Sequence, residues 1–371
     1  MPEEKPTLVA PQPLRDFCEE VFVRLGVDRA DAAITADVLV AADLRGIDSH
    51  GVARLKRYVD GLKDGVMKPR PSTRVLTETP TTITYDADAG LGQPVSHAAM
   101  RKAIEKARGL GAGFAAVRNS NHYGIAGYYA MMALEEDMIG ISTTNSDVLV
   151  VPTFSRNALL GTNPIAVAVP AGQNAAFVLD MATSTVPRGK IEVYDRLGKP
   201  LPQGWATDET GIGTTDAGRV LKNLATRAGG GLLPLGGEGE LLSGYKGYGL
   251  ALLVDILSAV LSGAAYADLV YPRANDGKPL PANLGHFFGA FRVDAFRPVD
   301  EFKRDMDDLM NRLRTADKAA GATRIYIHGE KEHEQTLERQ AQGIPLHPKV
   351  VATLGQIGRD LAVELPFQGG C

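Results

Sequence analysis

The chain has 371 residues, enough for two domains or for one large domain with a lobe. Hydrophobic residues at 44% and charged residues at 23% match an ordinary globular protein, and a net charge of -4 without a long basic run leaves no electrostatic footprint for nucleic acid. Two cysteines, Cys18 and Cys371, make neither a disulfide framework nor a zinc spacing, so a reducing cytoplasm is the expected compartment.

The first residues, Met-Pro-Glu-Glu-Lys-Pro, carry acids and no apolar core segment, unlike a signal peptide. Leu14, Phe17, Cys18, Val21, Phe22 and Leu25 recur at helical spacing, and Gly26 ends that helix. Asp28 to Leu44 reads as a second helix with Asp28 as its cap, and Val52 to Leu62 as a third, closed by Gly65. Thr81 to Tyr85 is a strand by its β-branched content, and Val95 to Leu110 a helix.

The stretch from Ala112 to Ser146 then reads as strand, loop, helix, strand. Phe114–Val117 is a short apolar run, Asn119-Ser-Asn-His122 a polar turn, Tyr123 to Glu136 a helical pattern, and Met138 to Ser142 a second run. In such units the loop leaving the strand's carboxyl end faces the ligand crevice, and His122 lies in it. Ser120 or Asn121 could equally be a plain helix cap. Strand-like runs follow at Ala166–Val169 and Ala176–Leu179, the latter delivering Asp180-Met-Ala-Thr-Ser184. Residues 197–244, rich in Gly, Pro and charge, read as a long loop without periodicity. The most apolar stretch, Tyr248 to Tyr266, contains Asp255, Ser258, Ser262 and Gly263 and fits a buried helix, not a membrane span. Phe287 to Phe291 and Arg324 to Ile327 look like strands, Glu301 to Thr315 and Pro348 to Leu361 like amphipathic helices.

No Gly-x-Gly-x-x-Gly follows a strand; Gly109-Leu-Gly-Ala-Gly113 precedes one and has the wrong spacing. A Walker A lysine motif and a Gly-x-Ser-x-Gly elbow are also absent. Four polar constellations remain. His50, Arg54 and Tyr58, following Ser49, share one face of a helix, where a guanidinium fork could grip a small carboxylate; ordinary surface charge pairs would give the same pattern. The others are the His122 loop, the turn Gly161-Thr162-Asn163-Pro164, and Asp180–Ser184 with Arg188-Gly-Lys190. Turn and cap chemistry alone would account for the last two.

Ser49-His-Gly-x-x-Arg54, Ser120-Asn-His-Tyr-Gly124, Gly161-Thr-Asn-Pro164, Asp180-Met-Ala-Thr-Ser184 and Tyr245-Lys-Gly-Tyr-Gly249, in that order, resemble the type-2 malate/L-lactate dehydrogenase family of NAD(P)-dependent oxidoreductases. The likeness runs from about Leu14 to Phe367. It implies an α/β fold unrelated to the Rossmann lactate dehydrogenases, with a helical N-terminal region and a mixed-sheet cofactor domain. Residues 1–118 with 300–371 would form the helical, substrate-side domain and 119–299 the dinucleotide-binding domain.

The resemblance further implies His50 and His122 as candidate proton donors and acceptors, with Ser49 supporting His50. Arg54 would clamp the substrate carboxylate, with Tyr58, Thr162 and Asn163 beside it. Ser146, Asp180, Met181, Ala182, Lys246, Gly329 and Glu330 match cofactor-contacting positions, the cofactor being NAD or NADP. No metal is implied. The partner is a small 2-oxo or 2-hydroxy acid, oxaloacetate/malate first, in a cytoplasmic homodimer with no nucleic acid or membrane. Two departures stand out: His328 precedes Gly329 where the family commonly has Pro, and Lys190 follows Arg188-Gly189 where the cyclic-imine reductases have an acid. Arg188 to Asp195 with Gly204-Trp-Ala206 is closer to the malate and sulfolactate members. A different acid, such as sulfolactate or lactate, is the alternative within the family. Outside it, a metal-dependent hydrolase using His50, His122, His286 and Asp180 lacks any tight ligand spacing, and a non-catalytic nucleotide binder would bind NADH without turnover.

Overall fold

Why the termini pack together follows from their apolar stripes. In the computed structural model, which describes residues 5–367, a short strand, Thr7–Val9 (β1), leads into helices Pro11–Arg24 (α1), Arg29–Leu44 (α2) and Leu55–Lys63 (α3). Cys371 and the first four residues lie outside the described range. Helix α1 buries Leu14, Phe17, Cys18, Val21 and Phe22, one continuous stripe. Each large apolar side chain so buried contributes about 1.5–3 kcal/mol.

Strands Arg74–Glu78 (β2) and Thr82–Asp86 (β3), helix Gly92–Leu110 (α4), strand Ala112–Ser120 (β4), helix Ala126–Met131 (α5) and strands Met138–Thr144 (β5), Ile165–Val169 (β6) and Phe177–Met181 (β7) come next. A third part comprises helix Arg188–Arg196 (α6), strand Ala206–Thr207 (β8), helix Ala217–Thr226 (α7), strand Gly231–Leu232 (β9) and helix Gly244–Asp255 (α8). The chain then adds strand Leu284–Arg292 (β10), helices Val299–Arg314 (α9) and Glu330–Gln342 (α10), strand Ile344–Leu346 (β11) and helix Pro348–Leu361 (α11).

The main sheet has seven strands in the order β2-β3-β4-β10-β5-β6-β7, and only β3 and β4 pair in parallel. β10 is inserted between β4 and β5, splitting the β4–α5–β5 unit. A strand covered on both faces can be apolar throughout, and Leu284 to Ala290 is buried except for part of Phe287. One core joins residues 9–67 to 344–363, a second lies between the sheet and α4 and α5, and a third fills the space among Val150, Ile191, Val220, Leu232 and Ala251.

Several expectations are corrected. Of residues 1–118, assigned with 300–371 to the substrate-side domain, β2, β3 and the start of β4 lie in the same sheet as β5–β7, while α1, α2 and α3 precede residue 74. The expected loop at 197–244 instead contains β8, α7 and β9 around the third core; Ala217, Val220, Leu221 and Leu224 of α7 fall at helical spacing, a short period between stretches rich in glycine and proline. The helix expected from Tyr123 to Glu136 is only α5 plus a 3-10 turn at Met132–Glu136, because Gly124 and Asp137 both adopt left-handed backbone. Arg324 to Ile327 is not a strand: Glu330 takes the Ile327 N–H, and the bond to the sheet among the described residues runs from Val178 N–H to the His328 carbonyl. Asp28 stands at the N-cap position of α2 without a capping bond and pairs with Arg70 at 3.1 Å.

Candidate active site

The loop between α2 and α3 carries Ser49, His50 and Arg54. It is pinned from below by Asp43, whose carboxylate accepts the Val52 N–H at 2.8 Å. Arg339 of α10 binds both the Asp43 carbonyl and the Asp48 carboxylate. Gly51 lies directly on Asp43, and a Cβ there would stand 1.9 Å from the carboxyl oxygen Oδ1. Burial pushes the Asp43 carboxyl up to about 8, against the pull of the Val52 N–H. Arg54 closes the loop by donating from Nε to the Ser49 carbonyl at 2.7 Å.

The second loop leaves the carboxyl end of β4. Asn121 is buried and donates its amide to the carbonyls of Ala89 and Gly90 at 3.0 and 2.9 Å. Gly92, at the start of α4, packs against it so closely that a Cβ would lie 2.2 Å from the Asn121 carbonyl. This anchoring brings His122 against His50, with ring centroids 5.5 Å apart and planes 24° from parallel. The Tyr58 hydroxyl lies 2.7 Å from His122 Nδ1, and the Gly124 N–H points at the same nitrogen from 3.3 Å. With Nδ1 accepting, the neutral ring carries its proton on Nε2, which has no hydrogen-bond partner among the described residues. Ser49 Oγ sits 2.9 Å from His50 Nδ1.

Both rings are neutral. Burial, then Arg54 and Arg57, hold His50 down to about 4. Burial, then Arg57, His50 and Arg54, hold His122 well below the ordinary histidine range. Arg57 is the residue that sequence reasoning missed. It lies partly buried beside the pair, bonded to the Tyr271 hydroxyl at 2.5 Å. Its place one turn from Arg54 was a readable signal; Tyr271, from a distant part of the chain, gave none.

A cleft of about 300 Å³ adjoins this loop. Arg45, Ile47, Asp180, Met181, Tyr326, His328, Gly329 and Lys331 are among its lining residues. It therefore joins the end of the His50 loop to the end of β7 and the N-terminus of α10. Asp180 accepts the Gly127 N–H at 2.7 Å, at the start of α5. Burial pushes its carboxyl up to about 6, opposed by that N–H and by Arg45. A helix N-terminus flanked by Arg45 and Lys331 suits phosphate groups.

The remaining expected residues divide. Ser146 and Thr162 meet, the Thr162 N–H donating to Ser146 Oγ at 3.0 Å. Ala182 follows directly on β7. Asn163 is fully buried and donates to the Ala251 carbonyl at 2.9 Å, turned toward α8. The Glu330 carboxylate is occupied by Arg314 at 2.9 Å, Arg324 at 3.2 Å and the Ile327 N–H at 3.0 Å. Lys246 is exposed on α8, over the Tyr245 ring. Among the described residues, no three His, Cys, Asp or Glu side chains group as metal ligands, and no helix is long and apolar enough to cross a membrane.

Within this α/β fold, paired imidazoles with guanidiniums have the chemistry to meet a small anion, and a cleft at a helix terminus has the chemistry to meet phosphate groups. Residues 9–355 match the family described as malate/L-lactate dehydrogenase, and the chain belongs to that family. It is 49% identical to the malate dehydrogenase of Pyrococcus abyssi over 95% of this chain and 94% of that one. It is 38% identical to the L-sulfolactate dehydrogenase of Methanocaldococcus jannaschii over 96% and 98% of the two chains. The crystal structure of malate dehydrogenase from Entamoeba histolytica superposes with a TM-score of 0.93 at 37% identity, covering 98% of this chain and all of that one. The protein is thus a dehydrogenase with the family's non-Rossmann fold, and the family implies a nicotinamide cofactor.

Proposed function

We propose that the enzyme reversibly reduces a small 2-oxo acid to the 2-hydroxy acid, with oxaloacetate and malate as the preferred pair. The observation that carries this reading is the stacked His50–His122 pair with Arg54 and Arg57 beside it. NAD or NADP, when bound, supplies or accepts the hydride at C2. Asp180, Met181, Ala182 and Gly329 would hold it, with Arg45 and Lys331 near its phosphates, Ser146 and Thr162 on the site side, and Lys246 reaching from α8.

His122 exchanges the proton with the substrate oxygen, and His50, steadied by Ser49, packs against it. The substrate's carboxylates raise the proton affinity of His122 and offset the guanidiniums that lower it. For exchange at Nε2 the Tyr58 hydroxyl turns to accept from Nδ1–H: the protonated ring gives its Nε2 proton to the substrate oxygen and is left neutral with its proton on Nδ1, and the reverse reaction returns the proton to Nε2. Arg54 grips the C1 carboxylate, and Arg57 faces the second acidic group of a diacid. Sulfolactate is the second reading, since a sulfonate would suit the same two guanidiniums and one relative is named for it.

We also infer that the enzyme works in the cytoplasm as a homodimer. Tyr245, Leu252, Leu253, Ile256 and Val260 form an exposed apolar face along α8 and its continuation, which suits a second copy. The test of the chemistry is the loss of absorbance at the reduced nicotinamide band, with NADH or NADPH against oxaloacetate, sulfopyruvate, pyruvate and a cyclic imine. Fast oxidation with oxaloacetate supports the reading. Oxidation with the imine alone would overturn it.

A further inference from the structure

His286 is the third residue of β10, fully buried, and has no part in the proposed proton exchange or substrate binding. A buried imidazole is costly unless both nitrogens find partners, and this one does. Nδ1 is 2.7 Å from Thr144 Oγ1 at the end of β5, and Nε2 is 2.8 Å from Ser120 Oγ at the end of β4. Burial pulls its pKa down to about 3, so at working pH the ring is neutral, with one donor and one acceptor for the two hydroxyls. Its face stacks on Tyr123 at 4.6 Å and 8°.

These three neighbours are not scattered. Ser120 is two residues before His122, and Tyr123 one after it. Ser120 Oγ in turn reaches the Asn121 carbonyl at 3.4 Å. Thr144 is two residues before Ser146. The strand pairing is irregular at the same point: the register shifts between Leu284 and His286 where they face β4. Bulges of this kind occur beside active sites and re-aim the residues that follow. A single side chain from the central strand therefore touches both ends of the His122 turn and the strand end that leads to Ser146. An apolar side chain of similar volume would fill the space but leave both hydroxyls without that partner.

We propose that His286 is a positioning residue for the reaction: its imidazole bonds Ser120 and Thr144 and stacks on Tyr123, and so sets the His122 ring relative to the Ser146 side of the site. The inference rests on the reading of His122 as the group that exchanges the proton. It requires His286→Leu to damage turnover rather than substrate capture, because Arg54 and Arg57 are on another element.

The test uses the full-length enzyme with its cofactor and oxaloacetate. A displacement of about 1 Å at a reacting group costs on the order of 10²-fold, so His286→Leu should lower kcat by roughly 10- to 100-fold with KM for the oxo acid changed by less than about 3-fold. His286→Gln keeps a donor and an acceptor and should recover kcat to within roughly 5-fold of wild type. Should His286→Leu fail to fold, Ser120→Ala and Thr144→Val each remove one hydroxyl partner and should each lower kcat in the same sense. Adding His286→Leu to His122→Asn should cost little more than His122→Asn alone, because the two act through one group. Fully additive losses, or equal kcat for the Leu and Gln variants, would overturn the proposal. An unchanged kcat in His122→Asn by itself would overturn the reading of His122 instead, so the two failures are separable.

Discussion

Gly51→Ala puts the link between scaffold and site under direct strain. The added Cβ would lie 1.9 Å from Asp43 Oδ1, 2.1 Å from Cγ and 2.4 Å from Oδ2, where ordinary contact begins at 3.4 Å. Asp43 is buried near the end of α2 and holds the Val52 N–H, so the shortfall of about 1.5 Å falls largely on the loop carrying Ser49, His50 and Arg54. Overpacking of this kind costs about 1–3 kcal/mol, and spread over a chain of this length it lowers Tm by only about 1–4 °C. The kinetic cost is larger: moving a carboxylate-gripping arginine and a site histidine by about 1 Å lowers kcat/KM for the oxo acid by about 10²-fold. Steady-state kinetics beside calorimetry, with cofactor Kd from nicotinamide fluorescence, separates the two. A variant with kcat/KM within about 2-fold of wild type would refute the reasoning that Asp43 sets the loop.

Arg54→Leu and Arg57→Leu should each raise KM for the oxo acid by about 10-fold or more while cofactor Kd changes little, since a lost charged hydrogen bond is worth about 1.5–3 kcal/mol; equal weakening of cofactor binding would remove them from the substrate side. Tyr58→Phe keeps the ring but removes the 2.7 Å bond to His122, and should lower kcat by roughly 10-fold while costing about 1 kcal/mol of stability in urea titration. The folded pKa of His286, about 3, lies below the ordinary histidine value of 6.5. The unfolded chain therefore gains a proton that the folded one refuses as pH falls below 6.5, and stability from this group is full above 6.5 and lost toward 3. Between pH 7 and pH 5 the stability gap between wild type and His286→Gln should shrink by about 2 kcal/mol; a constant gap would contradict a neutral buried ring.

Much of the architecture is written in local periodicity. The stripe of α1, the strand runs of β4 to β7 and the helix Pro348–Leu361 follow from spacing alone. The insertion of β10 between β4 and β5 is not local: its partners lie more than a hundred residues earlier, and nothing in Phe287–Phe291 names them. The site divides in the same way. His50, Arg54 and Tyr58 are legible because a helix repeats every 3.6 residues. Arg57 has no mark in the sequence beyond its place one turn from Arg54, and only the fold brings Tyr271 to it. Asn163 matches a substrate-side position and Glu330 a cofactor-contacting one, yet their side chains turn inward to Ala251 and to Arg314, which no spacing reveals. Ser120 and Thr144 look like turn chemistry at two strand ends, and only the fold brings His286 between them.

The central claim is that His122, oriented by Tyr58 and Gly124, exchanges the proton with the substrate. The direct measurement is kcat for oxaloacetate reduction by His122→Asn and His50→Asn side by side at saturating cofactor. The account predicts a fall of about 10²–10⁴-fold for His122→Asn, a smaller fall for His50→Asn, and cofactor Kd near wild type in both. A His122→Asn enzyme with near-normal kcat, beside a His50→Asn enzyme that is inactive, would contradict it and move the proton exchange to His50.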